Sequence, residues 1–571
     1  MDKRAVILST AVIFGFAVVV LRLGDLMLLD HQKLAARARH QQLGQEDLLV
    51  GRGVIFDRRG RELAVNVDTF SVYCNPRQVR KPRETARALA RATGASYATV
   101  LRRLISDKGF VWVARNLPPE TARTARALGL EGVGFLPEMV RYYPKGALAS
   151  HVIGFVGVDN QPLEGIELAY DKSLKGRQRK VRVHRDALGR TLSEGVQFDP
   201  QANSLVLTLD EGLQYIVEKE LAKGVEQWHA AWGTAVMMNP QTGEILAMAN
   251  VPTYDLNDPG DYPASARRNR AITDTYEPGS TFKVITAAAS LEERVVDTTT
   301  IFDASQGFIR VGRQAIWDVH NKGILSFGEV LKTSSNVATV MMSEMLPAEA
   351  LYRYVRGFGF GEETGVDLPG EAAGVVKPPK QWSGTTKAAM SIGYEVAVTP
   401  LQLLRAYCAV ANGGYMIKPH VVARVISPEG DILYEADKSQ GRRAITRRTA
   451  AILKTILVGV TQKGGTAMGA HLDGNTVAGK TGTARLVDPE TGTYSHKKYA
   501  GSFVGFVPAD RPRIALIVVL FEPHGKYYGG LVAAPVFREI ARQTLAYLNV
   551  PREDTFGDDV LVVRTMRKDY H

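Results

Sequence analysis

The chain has 571 residues, 45% of them hydrophobic and 23% charged, an ordinary globular composition that excludes a disordered protein. Its net charge of +12 resides wholly in the first 200 residues, where 32 Lys and Arg face 20 Asp and Glu, while residues 201–571 hold 39 of each. That excess comes with neither aromatic stacking residues nor a helix-turn-helix pattern, which argues against a nucleic-acid binder. Anionic lipid headgroups, another polyanion or plain solvent are what such a face meets.

Residues Ala5 to Leu21 (AVILSTAVIFGFAVVVL) run 17 positions without a charge, and LGDLMLL prolongs the apolar character. The stretch is longer than a signal-peptide core and no small-residue cleavage site follows directly, so an uncleaved membrane anchor is expected rather than a cleaved signal. Lys3 and Arg4 precede the span while Arg22, Lys33, Arg37 and Arg39 follow it. The positive-inside count therefore leaves the orientation open.

From Gln41 to about Pro200, short apolar runs such as VIFD, FSVYC and FVWVA alternate with helical stretches such as ETARALARAT, which predicts an α+β module. KGRQRKVRVHRDALGR, residues 175–190, reads as an exposed basic strand-turn segment closing it. SLVLTLD then opens a second domain as a strand, followed by a helix over EGLQYIVEKELAKGVEQ with Asp210 as N-cap. TAVMMNPQTGEILAMANVP patterns as a hairpin, and SFVGFVP with RIALIVVLFEP forms a second near the end. Between the hairpins the sequence is largely helical, including TRRTAAILKTILVGVTQ, so one sheet covered by helices is expected. Cys74 and Cys408 are far apart without a CxxC and should be buried thiols, and the eleven histidines lack HExxH or paired ligand spacing. Neither a disulfide framework nor a metal site is expected.

EPGSTFK, residues 277–283, places Ser280 and Lys283 three apart behind Pro278 and Gly279. A helix starting at Ser280 stacks these positions on one face and offers its dipole and unpaired N–H groups to developing negative charge. The pattern recurs at Ser495 and Lys498 in YSHKKY, so spacing alone does not choose. Two further motifs do. KTSSNVAT contributes Ser334 and Asn336 as S-x-N, and AGKTGTAR contributes Lys480, Thr481 and Gly482 as K-T-G, each once and in order after Ser280. Ser495 has no such partners behind it.

With these three motifs the chain resembles the class B penicillin-binding proteins, and most closely the division-specific FtsI type. RGVIFDRRGRELAVN, RYYPKGALASHVIGFVG, LEGIELAYD, YEVAVTPLQLL and YGGLVAAPVFREIA are similar to segments of that family, so the resemblance covers nearly the whole chain. It implies an anchor and cytoplasmic N-terminus over 1–30, a non-catalytic α+β pedestal over 41–200, a penicillin-binding, serine β-lactamase-like domain over 204–550 with a central antiparallel sheet flanked by helices, and a tail over 551–571. The location implied is the bacterial cytoplasmic membrane, single-pass, with the catalytic domain outside and the septum as its site. No PASTA-like repeat follows, and the short tail favours a Gram-negative type of division enzyme. No glycosyltransferase-like domain is present either, which implies a membrane polymerase partner, SEDS-type and FtsW-like, together with other division proteins.

The activity implied is D,D-transpeptidation of peptidoglycan stem peptides, with β-lactams as covalent inhibitors and no cofactor. Ser280 would attack the D-Ala-D-Ala carbonyl and form an acyl-enzyme. Lys283, its pKa lowered by burial and by Lys480, would take the proton, and Ser334 would relay protons between the lysines and the leaving amine. Asn336 would hold Lys283 and a substrate amide. In KTGT, Lys480 and Thr481 are expected to point to the cleft along an edge strand. There Lys480, Thr481 and Thr483 would bind the terminal carboxylate, with Gly482 leaving the backbone open and the N–H groups of Ser280 and Thr483 forming the oxyanion hole. A D,D-carboxypeptidase or β-lactamase and a catalytically inactive division scaffold or receptor are the competing readings. Against a class A lactamase stands the missing glutamate: between Asn336 and Lys480 the asparagines are Asn412 and Asn475, and the residues four before them are Cys408 and His471.

Overall fold

The computed structural model describes residues 3–25, 27, 43–47, 51–176, 180–184, 202–439, 441–488 and 491–553. A helix spans Lys3–Gly24, and its stretch Ile7–Gly24 has a mean hydropathy of 2.2 and none of its surface buried. That length and composition suit a single membrane crossing. The chain divides into two compact units, one built from residues 1–52, 68–139 and 175–202, the other from 53–67, 140–174 and 203–571.

In the first unit the strand ending at Cys74 pairs antiparallel with Val111–Leu117, in a register that sets Tyr73 opposite Trp112. Helices Pro82–Thr93 and Tyr97–Leu104 lay Ala86, Leu89, Val100 and Leu104 against Val72, Cys74 and Val113, a small apolar core. Cys74 is fully buried there, and burial pushes its thiol up to about 11. The basic segment 175–190 contributes strand Lys180–His184, paired antiparallel with Leu43–Asp47, and residues 177–179 and 185–190 of its strand-turn reading lie outside the described residues.

The second unit holds the larger core. Both predicted hairpins form, β1 (Trp232–Met238) with β2 (Ile245–Val251), and β4 (Tyr494–Val507) with β5 (Ile514–Phe521). With β3 (Ala478–Val487) they make one antiparallel sheet of order β3-β4-β5-β1-β2, which leaves β3 at an edge. Every residue of β5 is buried, as a run without alternation requires when helices cover both of its faces. Asp210 caps helix Glu211–Gln227 by accepting from the N–H groups of Gly212 and Leu213 at 3.0 and 3.3 Å. That helix and Ala534–Tyr547 pack on each other and on the sheet. Helix Pro400–Ala411, opened by a Thr399/Gln402 capping box, is the buried helix behind the site and carries the second thiol, Cys408. Segments 53–67 and 140–174 join this unit. Ile55–Phe56 pairs parallel with Ser204–Leu207, and the fully buried Arg141 and Glu167 meet at 2.6 Å while Arg141 also donates to the Gly53 carbonyl.

Candidate active site

Ser280 does not start an α-helix. Gly279–Phe282 is one turn of tighter 3-10 helix, which passes into helix Lys283–Glu292. In a 3-10 turn i and i+3 eclipse, so the spacing still puts both side chains on one side. Several long-range bonds clamp this turn. Tyr276 and Val398 exchange two backbone bonds of 3.0 Å, Gly279 donates to the Gly393 carbonyl at 3.1 Å, and the Tyr407 hydroxyl donates to the Thr281 carbonyl at 2.8 Å. Gly279 and Gly393 have φ of +54° and +86°, and a Cβ on Gly393 would overlap the backbone of Gly279. Only glycine fits both demands.

Helix Phe327–Thr333 ends at Ser334, which stands in the left-handed region at φ 60°, an uncommon setting for a residue with a side chain. The next helix, Asn336–Glu344, starts from Ser335 as N-cap. This break turns both polar side chains onto Lys283, whose Nζ donates to the Ser334 carbonyl at 2.7 Å, to Asn336 Oδ1 at 2.7 Å and to Ser334 Oγ at 3.3 Å. Among the described residues no hydrogen bond links Lys283 to Ser280 Oγ. Asn336 spends its Nδ2 on the Trp317 carbonyl at 2.8 Å. Asp318 holds the break: it accepts from Ser335 Oγ at 2.6 Å and from the backbone N–H groups of Asn336 and Val337. Asp318 was not legible as a site residue, because the bond spans 18 positions and no local pattern marks it.

On edge strand β3 the side chains alternate, which corrects the expectation that Lys480 and Thr481 point the same way. Lys480 Nζ donates to Ser334 Oγ at 2.9 Å, whereas Thr481 turns to the other face and shares a 2.9 Å contact with the Thr466 hydroxyl. Thr483 lies on the face of Thr481, its Oγ1 accepting from Gly529 N at 3.1 Å. Gly482 sits where a Cβ would overlap Ser502 Oγ and come within 2.9 Å of the Pro278 carbonyl, so the strand edge lies directly against the Ser280 turn.

Both lysines are fully buried. Burial holds Lys283 well below the usual lysine range, and the charge of Lys480 lowers it further. Burial brings Lys480 down to about 7. The arrangement can therefore present a neutral amine next to a hydroxyl shared by two lysines, the requirement for moving a proton without a metal. Among the described residues no group of three or more His, Cys, Asp or Glu comes together to hold an ion. Glu277, also missed in the sequence, ties the Ser280 turn outward, accepting from Glu395 N at 2.7 Å and from the Tyr494 hydroxyl at 2.9 Å. Ser495 lies on β4, where its Oγ accepts from the N–H groups of Lys497 and Lys498, and Lys498 pairs with Glu522 at 3.3 Å.

Residues 233–542 match the family described as penicillin-binding protein transpeptidase domain, and residues 48–207 match the penicillin-binding protein dimerisation domain. The chain is similar to peptidoglycan D,D-transpeptidase FtsI of Escherichia coli (strain K12), 34% identical over 97% of this chain and 94% of that one. It is equally similar, at 34%, to stage V sporulation protein D of Bacillus subtilis (strain 168), over 97% of this chain and 87% of that one. Among solved structures, penicillin-binding protein 3 of Mycobacterium tuberculosis complexed with ampicillin superposes with a TM-score of 0.71 at 28% identity, covering 90% of this chain and 98% of that one.

Proposed function

The chain belongs to the class B penicillin-binding proteins of the FtsI type, and we propose that its chemistry runs through Ser280 with Lys283, Ser334, Asn336 and Lys480. It is a serine-type peptidoglycan D,D-transpeptidase that binds β-lactams. Ser280 Oγ attacks the carbonyl between the two terminal D-alanines, its proton passes to neutral Lys283, and D-Ala leaves with a proton delivered through Ser334. Lys480 donates to that same hydroxyl at 2.9 Å. Thr481 and Thr483 bind the stem's carboxylate from their shared face of β3, Gly482 lets the substrate backbone approach, and the N–H groups of Ser280 and Thr483 receive the oxyanion, a role worth about 3–4 kcal/mol when one donor is lost. The observation that supports this reading most directly is the Ser334 hydroxyl held by both lysines, at 3.3 and 2.9 Å.

We assign residues 1–30 to the cytoplasmic N-terminus and anchor, 41–200 to the pedestal, 204–550 to the transpeptidase domain and 551–571 to the tail. The N-terminus is cytoplasmic and the catalytic domain extracytoplasmic, at the septum. A membrane glycosyltransferase of the SEDS type supplies the glycan, since neither matched family is a polymerase. Benzylpenicillin in excess should leave a stoichiometric adduct on Ser280 that persists for many minutes by mass spectrometry. Purified chain mixed with a polymerase and lipid-linked precursor should yield crosslinked dimers. Rapid penicillin turnover with regeneration of free enzyme would replace this reading with a hydrolase, and an unlabelled, inactive protein would replace it with a scaffold.

A further inference from the structure

A second concave surface shares no residue with the Ser280 cleft. It is a cavity of about 510 Å³ whose lining includes Arg447, Lys454, Arg511 and Arg513 with Asp510 as the single carboxylate. The arginines come from two places: Arg511 and Arg513 from the turn between β4 and β5, and Arg447 from the first turn of helix Arg447–Thr461. Among the described residues none of the four cations forms an ion pair, and Lys454 Nζ reaches only the backbone carbonyl of Asp510, at 3.1 Å.

The first turn of that 15-residue helix contains no acidic residue and begins Arg447-Arg448, cations set at the positive end of a helix dipole. Each opposes the dipole, and the carboxylate that offsets them at this end is Glu292, which accepts from the Thr446 N–H and hydroxyl at 2.7 and 2.8 Å and is not part of the cavity lining. Four like charges gathered round one hollow repel each other, and guanidinium forks match phosphate oxygens two at a time. A carboxylate ligand of single charge would leave most of this charge unmet.

We propose that this cavity binds a diphosphate-bearing anion, either free or as the headgroup of a lipid. The test uses the full-length protein in neutral detergent, titrated with inorganic pyrophosphate and, separately, with farnesyl pyrophosphate, which carries the same head on an apolar tail. Binding by wild type should weaken at least tenfold in Arg511→Glu and in the milder Arg447→Gln, and stay unchanged in Arg87→Glu, a control on the other unit. Penicillin labelling of Ser280 should be equal in all four proteins, which separates loss of the cavity from loss of the fold. Equal affinity for both probes assigns a free anion. Much tighter binding of the farnesyl compound, still sensitive to Arg511→Glu, assigns a lipid headgroup. No binding of either probe, or equal weakening in Arg87→Glu, overturns the proposal.

Discussion

The same four-residue spacing occurs twice in this chain and produces two unrelated environments. At Ser280 it lies on a helical turn, Lys283 is fully buried, and its amine meets the Ser334 hydroxyl that Lys480 also reaches. At Ser495 it lies on a strand, where positions three apart face opposite ways, and the half-exposed Lys498 turns to Glu522. Spacing predicts proximity only when the backbone has the matching period, and reactivity only when burial changes the lysine.

The comparison breaks most sharply at the serines. Ser280→Ala should abolish labelling by a fluorescent penicillin in a protein of unchanged melting temperature, and Ser495→Ala should label as wild type. Undiminished labelling of the first, or loss in the second, exchanges the two sites. A smaller effect is expected from glycines beside each pair. Gly393→Ala puts a methyl into the Gly279 backbone and should slow acylation on the order of 100-fold, the cost of a misplacement of about 1 Å. Gly492→Ala, near Ser495, meets nothing within 4 Å, and although its φ of +67° strains the local turn it should leave the acylation rate unchanged.

The lysines provide a difference of another kind, read as stability against pH. Lys480 in the folded protein titrates at about 7. The unfolded chain holds that proton up to about 10.4, so folding costs on the order of 5 kcal/mol at pH 7 and below, and the penalty fades as pH rises towards 10. Lys480→Met should therefore melt higher than wild type at pH 7, with the gap closing by pH 10. Lys498→Met, at an exposed ion pair, should shift stability by less than about 1 kcal/mol. A Lys480→Met protein less stable than wild type at pH 7 would show that the charge is compensated in the fold.

What was legible in the sequence is what repeats locally. The two hairpins, the Asp210 cap and the three motifs each declare themselves within ten to twenty residues or so, through period, capping chemistry or spacing. Asp318, Gly393 and Tyr407 did not, because their roles come from contacts made 18, 114 and 126 positions away. The facing of Thr481 is set by the pleat of the strand, which the letters K-T-G alone do not carry. The joining of segments 53–67 and 140–174 to the larger unit left no trace either, since strand pairing at long range leaves no local pattern.

The three acceptors around Lys283 Nζ also count its hydrogens. An ammonium has three to give and satisfies all of them, the Ser334 carbonyl, Asn336 Oδ1 and Ser334 Oγ. The neutral amine has two, which stay with the two 2.7 Å partners, and its lone pair then faces the 3.3 Å contact. That contact must reverse: Ser334 becomes the donor to Lys283 while still accepting from Lys480. Loss of one proton thus turns a symmetric junction into a directional wire running from Lys480 through Ser334 to Lys283, and gain of that proton erases the direction.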